Sequence, residues 1–255
     1  MVNGGYEPGM VVWTKFHVPE ELDTKECIGY FQPLVHAVGH QETLWSRTAE
    51  NTNTILIVSC KLLSLPTYIR IYGILISLVW YTAAELRDFT ASPSAQLYTE
   101  NLASKGITPL VLFETNYWPG NWFSSLSGSY LQLHWVYFSV PMTEAHHAQI
   151  SEIRGMEPPA LGISGRQKNP IQKHRNVQLR ATRTEDRNGQ EVQLMLWLHF
   201  WRDAKKAEWR NIVQHTNMNW GSPRTIEEGF IKGLEEARPM EWKEEIYEFK
   251  KLPRY

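Results

Sequence analysis

One string occurs twice in this chain. Trp13-Thr14-Lys15-Phe16-His17-Val18-Pro19 and Trp135-Val136-Tyr137-Phe138-Ser139-Val140-Pro141 both read W-x-x-F-x-V-P. Each alternates as a strand does, and each stops at a proline, which has no N–H for a ladder. An internal repeat constrains a fold strongly, because both copies must build the same unit.

The elements that follow keep the same order. Asp23-Thr24-Lys25-Glu26 opens a helix in which Asp23 caps and Glu26 reaches back. Ile28, Phe31, Val35 and Val38 share a face, Pro33 kinks the helix, and Gly39 closes it. The second copy offers a short helix from Thr143 or Glu144 and a long loop to about Pro170. A hairpin comes next in each copy: 43–50 with 54–59, then 177–185 with 191–201 around Asn188-Gly189. Helices start at Thr82 and Asp203, both good N-caps, and final strands run over 108–115 and 241–252. The expected architecture is α+β, two tandem ferredoxin-like β-α-β-β-α-β repeats at 10–115 and 130–252 with a linker at 116–129. Each sheet has one helix-covered face and one bare face, so the repeats are expected to pack sheet to sheet as a pseudo-dimeric α+β barrel.

Residues 60–79 have no counterpart in the second copy. Deleting them joins Ser59 to Trp80-Tyr81-Thr82 and restores the pattern, which reads as an insertion or a translated intron. The segment's longest apolar run, 71–81, falls short of the roughly 20 residues a membrane span needs.

Lys plus Arg is 26 and Asp plus Glu is 27, a net charge of −1. Such a chain has no global field for nucleic acid. Cys27 and Cys60 are too few for a disulfide framework, and the first nine residues lack a cationic, apolar leader, so a cytoplasmic setting is expected. The eleven Trp and eleven Tyr exceed packing needs and suit a small-molecule pocket.

These two strands, hairpins and capped helices, with Tyr81-Thr82-Ala83-Ala84-Glu85-Leu86 and Arg202-Asp203-Ala204-Lys205, resemble the antibiotic-biosynthesis-monooxygenase-like (ABM) proteins of the dimeric α+β barrel superfamily, including two-repeat fungal forms. The resemblance covers 10–115 and 130–252 and rests on element order and apolar pattern, with no catalytic string. It implies a cofactor-free oxygenase, decarboxylase or isomerase of fungal secondary metabolism, acting on an aromatic or polyketide-derived substrate. Some relatives degrade haem with a proximal His on a helix.

Alternation divides the strands into two faces. Val192, Leu194, Leu196, Leu198 and Phe200 are expected on the helices, and Gln193, Met195, Trp197, His199 and Trp201 in the barrel interior. Trp13, Lys15, His17, Trp135, Tyr137 and Ser139 are expected on the interior face as well, opposite Phe16, Val18, Val136 and Phe138. The candidate substrate-binding residues are therefore Trp13, Lys15, Trp135, Tyr137, Gln193, Trp197 and Trp201. His199 and His17 are the candidate bases. Each also fits a simpler role: core packing for the indoles, a satisfied buried ring for His199, the surface for Lys15 and His17.

His36 and His40 lack the Glu of a zinc-protease motif, and the adjacent His146 and His147 diverge, so no metal site is read. Arg166, Lys168, Lys173, His174 and Arg175 form a basic loop that suits solvent or an acidic substrate. No nucleotide, dinucleotide or serine-hydrolase signature occurs. The expected partner is a small aromatic ligand with no bound cofactor, in a monomeric pseudo-dimer or a homodimer. The other reading is a non-catalytic α+β barrel that binds a small hydrophobic ligand or plays a structural part in an assembly.

Overall fold

The computed structural model describes residues 10–35, 40–48, 53–61, 88–116, 122–156, 171–211, 213–214 and 224–253. Most of the 60–79 segment and the helix start at Thr82 lie outside them. The chain divides into two compact units, Met1–Ser127 with Phe249–Tyr255, and Gly128–Glu248.

In the first unit, β1 (Met10–His17) is flanked by β3 (Thr54–Lys61) and β4 (Thr108–Asn116), and β2 (His40–Arg47) adds beyond β3, all antiparallel. Helix α1 (Thr24–Tyr30) starts where Asp23 accepts the N–H groups of Lys25 and Glu26. Glu26 does not reach back to close a capping box; it accepts from the Tyr30 hydroxyl at 2.9 Å. The expected single helix to Gly39 is broken at Phe31. A second short helix, α2 (Gln32–Val35), follows, with Pro33 in its first turn, where a missing N–H breaks no bond. Helix α3 (Pro93–Ser104) is capped by Ser92. The helices cover a face on which Phe16, Val18, Cys27, Phe31, Ile55, Ile57 and Leu102 pack. Trp13, Lys15, Leu56 and Val58 occupy the opposite face and are also buried. Trp13 stacks on Phe113 and on Trp122 of α4 (Trp122–Leu126), a helix within the expected linker, and donates to Thr115 Oγ1 at 3.0 Å.

The second unit pairs β5 (Tyr130–Ser139) with β8 (Gln190–Trp201) at its centre, β11 (Glu241–Glu248) beside β5, and β6 (Ile171–Arg180) with short β7 (Glu185–Arg187) beside β8. The hairpin turn places Asn188 and Gly189 at positive φ, 57° and 81°, as its Asn-Gly signal requires. Helix α5 (Glu144–Glu152) is capped by Thr143. The helix expected from Asp203 is one turn, α6 (Ala204–Ala207), followed by a 3-10 turn at Glu208–Asn211 and the two-residue pair β9 (Val213–Gln214) and β10 (Arg224–Thr225). The main covering helix is α7 (Ile226–Glu236), opened by a capping box between Thr225 and Glu228. The strand expected over 241–252 ends at Glu248. The next residues, β12 (Lys250–Lys251), pair with Trp45 and Leu44 of β2 in the first sheet.

Both sheets are antiparallel. Leaving β12 aside, their orders are β4-β1-β3-β2 and β11-β5-β8-β6, so each flanks its first strand with its last and its third major strand.

Candidate active site

Strand β8 reverses the expected faces. Met195, Trp197 and Trp201 pack with Ile150 of α5 and with Phe230 and Leu234 of α7, so the Gln193-to-Trp201 set lies under the helices. Register shows why one pooled pocket is impossible. Trp135 pairs with Leu196 and Tyr137 with Leu194, whereas Trp197 pairs with His134 and His199 with Gln132. Directly paired residues share a face. The structure therefore brings together Gln193, Trp197, His199 and Trp201 and leaves Trp135 and Tyr137 on the other side of the same sheet. There Lys243 lies over the Trp135 ring at 5.4 Å and Arg187 over the Tyr137 ring at 3.8 Å. Trp13, Lys15 and His17 belong to the first unit, where Lys15 is buried and His17 is exposed at the end of β1.

The helix-covered face carries a polar group in an apolar surround. Gln193 is held by Arg180 and by the Ala181 carbonyl. Trp201 Nε1 donates to Gln132 Oε1 at 3.1 Å, and Trp197 Nε1 donates to the Ile153 carbonyl at 3.2 Å. Gln178 donates to the Ile150 carbonyl. The last two bonds tie the end of α5 to the sheet; the Ile150 carbonyl also accepts the Ile153 N–H that closes the helix. Between these anchored indoles sit His199 and His134, both 0% exposed, with ring centroids 5.2 Å apart and edge to face. Phe230 meets each ring at 4.9 Å. Among the described residues, no nitrogen of either ring has a well-formed hydrogen-bond partner.

Glu244 of β11 brings Oε2 to 3.5 Å from His134 Nε2, an electrostatic contact rather than a tight hydrogen bond. Its other oxygen accepts from Arg210 at 3.2 Å. Burial pushes the Glu244 carboxyl up, but His134, the Gln132 amide and Arg210 outweigh it and hold the group below the usual carboxylate range. Burial drives His199 well below the usual imidazole range, helped by His134 and weakly opposed by the Gln132 backbone. His199 is therefore neutral near pH 7 and able to accept a proton.

Above His199 the chain leaves α5 through Arg154-Gly155-Met156. A cleft of ≈ 430 Å³ opens between this segment and α7, lined by Gln149, Arg154, Gly155, Gly229, Phe230 and Gly233 among others. Gly155, at φ 79°, lies so close to His199 that a Cβ there would stand 2.9 Å from Nε2. The ring nitrogen thus sits directly behind the cleft wall. Sequence reasoning passed over His134, Gln132, Glu244, Gly155 and α7. Their signals were present: Gln132, His134, Val136 and Phe138 continue one face of β5, and Thr225-Ile226-Glu227-Glu228 is a capping-box string. Of the other histidines, His146 is engaged with the Ala237 carbonyl at 2.7 Å, and His36 lies outside the described residues. Among the described residues no three His, Cys, Asp or Glu converge to hold a metal, and no helix is long and apolar enough to cross a membrane.

No family model matches the chain, and no curated protein does. Solved structures do. An anthrone oxidase-like protein is 10% identical, with 97% of this chain and 95% of that one covered and a TM-score of 0.53. A proposed monooxygenase of Fusobacterium nucleatum subsp. nucleatum is 8% identical, with 96% and 94% covered and a TM-score of 0.50. At such identities the likeness is one of fold, a mixed α+β chain with two antiparallel sheets.

Proposed function

We propose that this chain is an ABM-like enzyme that acts, without a bound cofactor, on a small aromatic or polyketide-derived substrate, with His199 as its base. One observation carries the reading: a neutral, fully buried imidazole without a well-formed hydrogen bond stands directly behind a cleft. Buried polar groups are normally paired, so an exception calls for a role. The named neighbours, an anthrone oxidase-like protein and a proposed monooxygenase, agree with this chemistry.

Deprotonation of an acidic phenol or of the carbon between two aromatic rings leaves an electron-rich anion. That anion reduces dioxygen itself, so the protein supplies only a base, a dry surround and a fixed orientation. Phe230, backed by the buried Trp197, supplies a flat wall, and Arg154 and Gln149 at the cleft supply polar groups for orientation. Substrate contacts from Trp13, Lys15 and His17 in the first unit, or from Trp135 and Tyr137 in the second, would each require a site separate from this one. The W-x-x-F-x-V-P strands and the common strand order support descent of the two units from one repeated ancestor.

The test is oxygen uptake by purified protein with a panel of anthrones and related phenols, without added cofactor. Uptake that falls about 10²–10⁴-fold in His199→Ala supports the reading. Equal uptake in the variant refutes the base. Saturable binding without turnover across the panel would identify a ligand-binding barrel instead.

A further inference from the structure

Burying two imidazoles side by side is costly, because each carries one donor and one acceptor that water no longer satisfies. His134 and His199 are held by packing: Phe230 lies edge-on to both, and Trp242 tilts against His134 at 5.9 Å. A ring held this way turns about χ2 without breaking a strong hydrogen bond. The rings stand edge to face with centroids 5.2 Å apart, so passage of a proton between them requires a turn of His134 about χ2.

The two ends of the pair differ. His199 faces Gln132 of β5, Asn176 of β6, Gly155 beside Arg154, and Phe230 of α7, with no carboxylate among them. His134 faces Glu244 of β11, and behind it stand Arg210 of the 3-10 turn and Glu227 of α7. His199 and His134 are 0% exposed, and the Glu244 side chain is 27% exposed. The titratable groups thus run in a line from the covered sheet face to solvent.

We propose that His134 and Glu244 form a proton relay that connects His199 to solvent. The inference rests on the reading that His199 accepts a proton. His199, once protonated, donates to the facing nitrogen of a turned His134. His134 gives up its other ring proton to the Glu244 carboxylate, and Glu244 releases it to water. His199 returns to the neutral state, and each hop moves one proton with no change of redox state. Both relay groups act through His199, so both are positioning residues.

The test needs no substrate. In the full-length ¹⁵N-labelled protein, exchange of the His199 ring N–H with solvent is followed by NMR in wild type, His134→Gln and Glu244→Gln. The relay predicts exchange slowed about tenfold or more in both variants, with backbone amide exchange of β5 and β8 unchanged, since local opening would move both. Unchanged ring exchange in a folded variant overturns the relay. If His134→Gln does not fold, Glu244→Gln, a change at a part-exposed edge strand, still decides. A relay that passes while the anthrone panel shows no turnover removes the enzymatic reading alone.

Discussion

Gly155→Ala is the sharpest perturbation the structure offers. The residue adopts φ 79°, where an L side chain costs roughly 1–2 kcal/mol. The new Cβ would stand 2.9 Å from His199 Nε2, 3.2 Å from Asn176 Cγ and 3.3 Å from Asn176 Cβ. Neither neighbour is the free end of a long chain: His199 is wedged against Phe230, and Asn176 sits on a paired strand. Overpacking of this kind costs roughly 1–3 kcal/mol. Together the two effects predict a loss of about 2–5 kcal/mol in urea unfolding at constant m. Gly229 and Gly233 provide the internal contrast. Both lie on α7, a Cβ at Gly229 meets nothing within 4 Å, and one at Gly233 meets only Ile153 at 3.9 Å. Alanine there should stabilise by about 0.5–1 kcal/mol each through helix propensity. The ordering Gly155→Ala far below wild type and the α7 variants above it is the expected result. A Gly155→Ala protein within about 0.5 kcal/mol of wild type would refute the close approach over His199, and with it the placement of the cleft.

Other expectations follow from the same face. The folded-state pKa of His199 is depressed below its unfolded value, so the unfolded chain takes up a proton first. Stability should fall as pH drops below about 6.5, with a slope of up to about 1.4 kcal/mol per pH unit that His199→Ala removes; urea melts between pH 7 and 5 measure it. Glu244 is also depressed, so its contribution is present above the unfolded carboxylate value near 4.3 and is lost as pH falls through the lower folded value; Glu244→Gln should flatten the melts in that acid range. Leu196→Ala, fully buried on the opposite face, should cost roughly 2–5 kcal/mol through the cavity it leaves, and His199→Ala about 1–2 kcal/mol. An equal or reversed order would make His199 a packing residue. Thr225→Ala removes the capping box of α7 and should cost about 0.5–2 kcal/mol by thermal melt.

The central strands and several helix caps were legible in the residues, though strand bounds shifted: 177–185 became β6 and the short β7. Alternation placed β1 and β5, Asn188-Gly189 marked the hairpin turn, and Asp23, Thr143 and Asp203 each cap the helix they precede. The sequence also sorted β8 correctly into two sets of residues. It could not say which set meets the helices, because alternation has a period of two and no sign, and hydrophobicity supplies a sign only when one face is wet. Here both faces are dry: Leu194, Leu196 and Leu198 are as buried as Trp197, His199 and Trp201. Register decided the matter, by pairing Trp197 with His134 and Trp135 with Leu196, and α7 supplied the partners that fit the indole side. The candidate site was invisible for the same reason. His134, His199, Gly155 and Glu244 come from four separate segments, and only the pairing of β5 with β8 and β11, and the turn of the chain after α5, bring them within reach of one another.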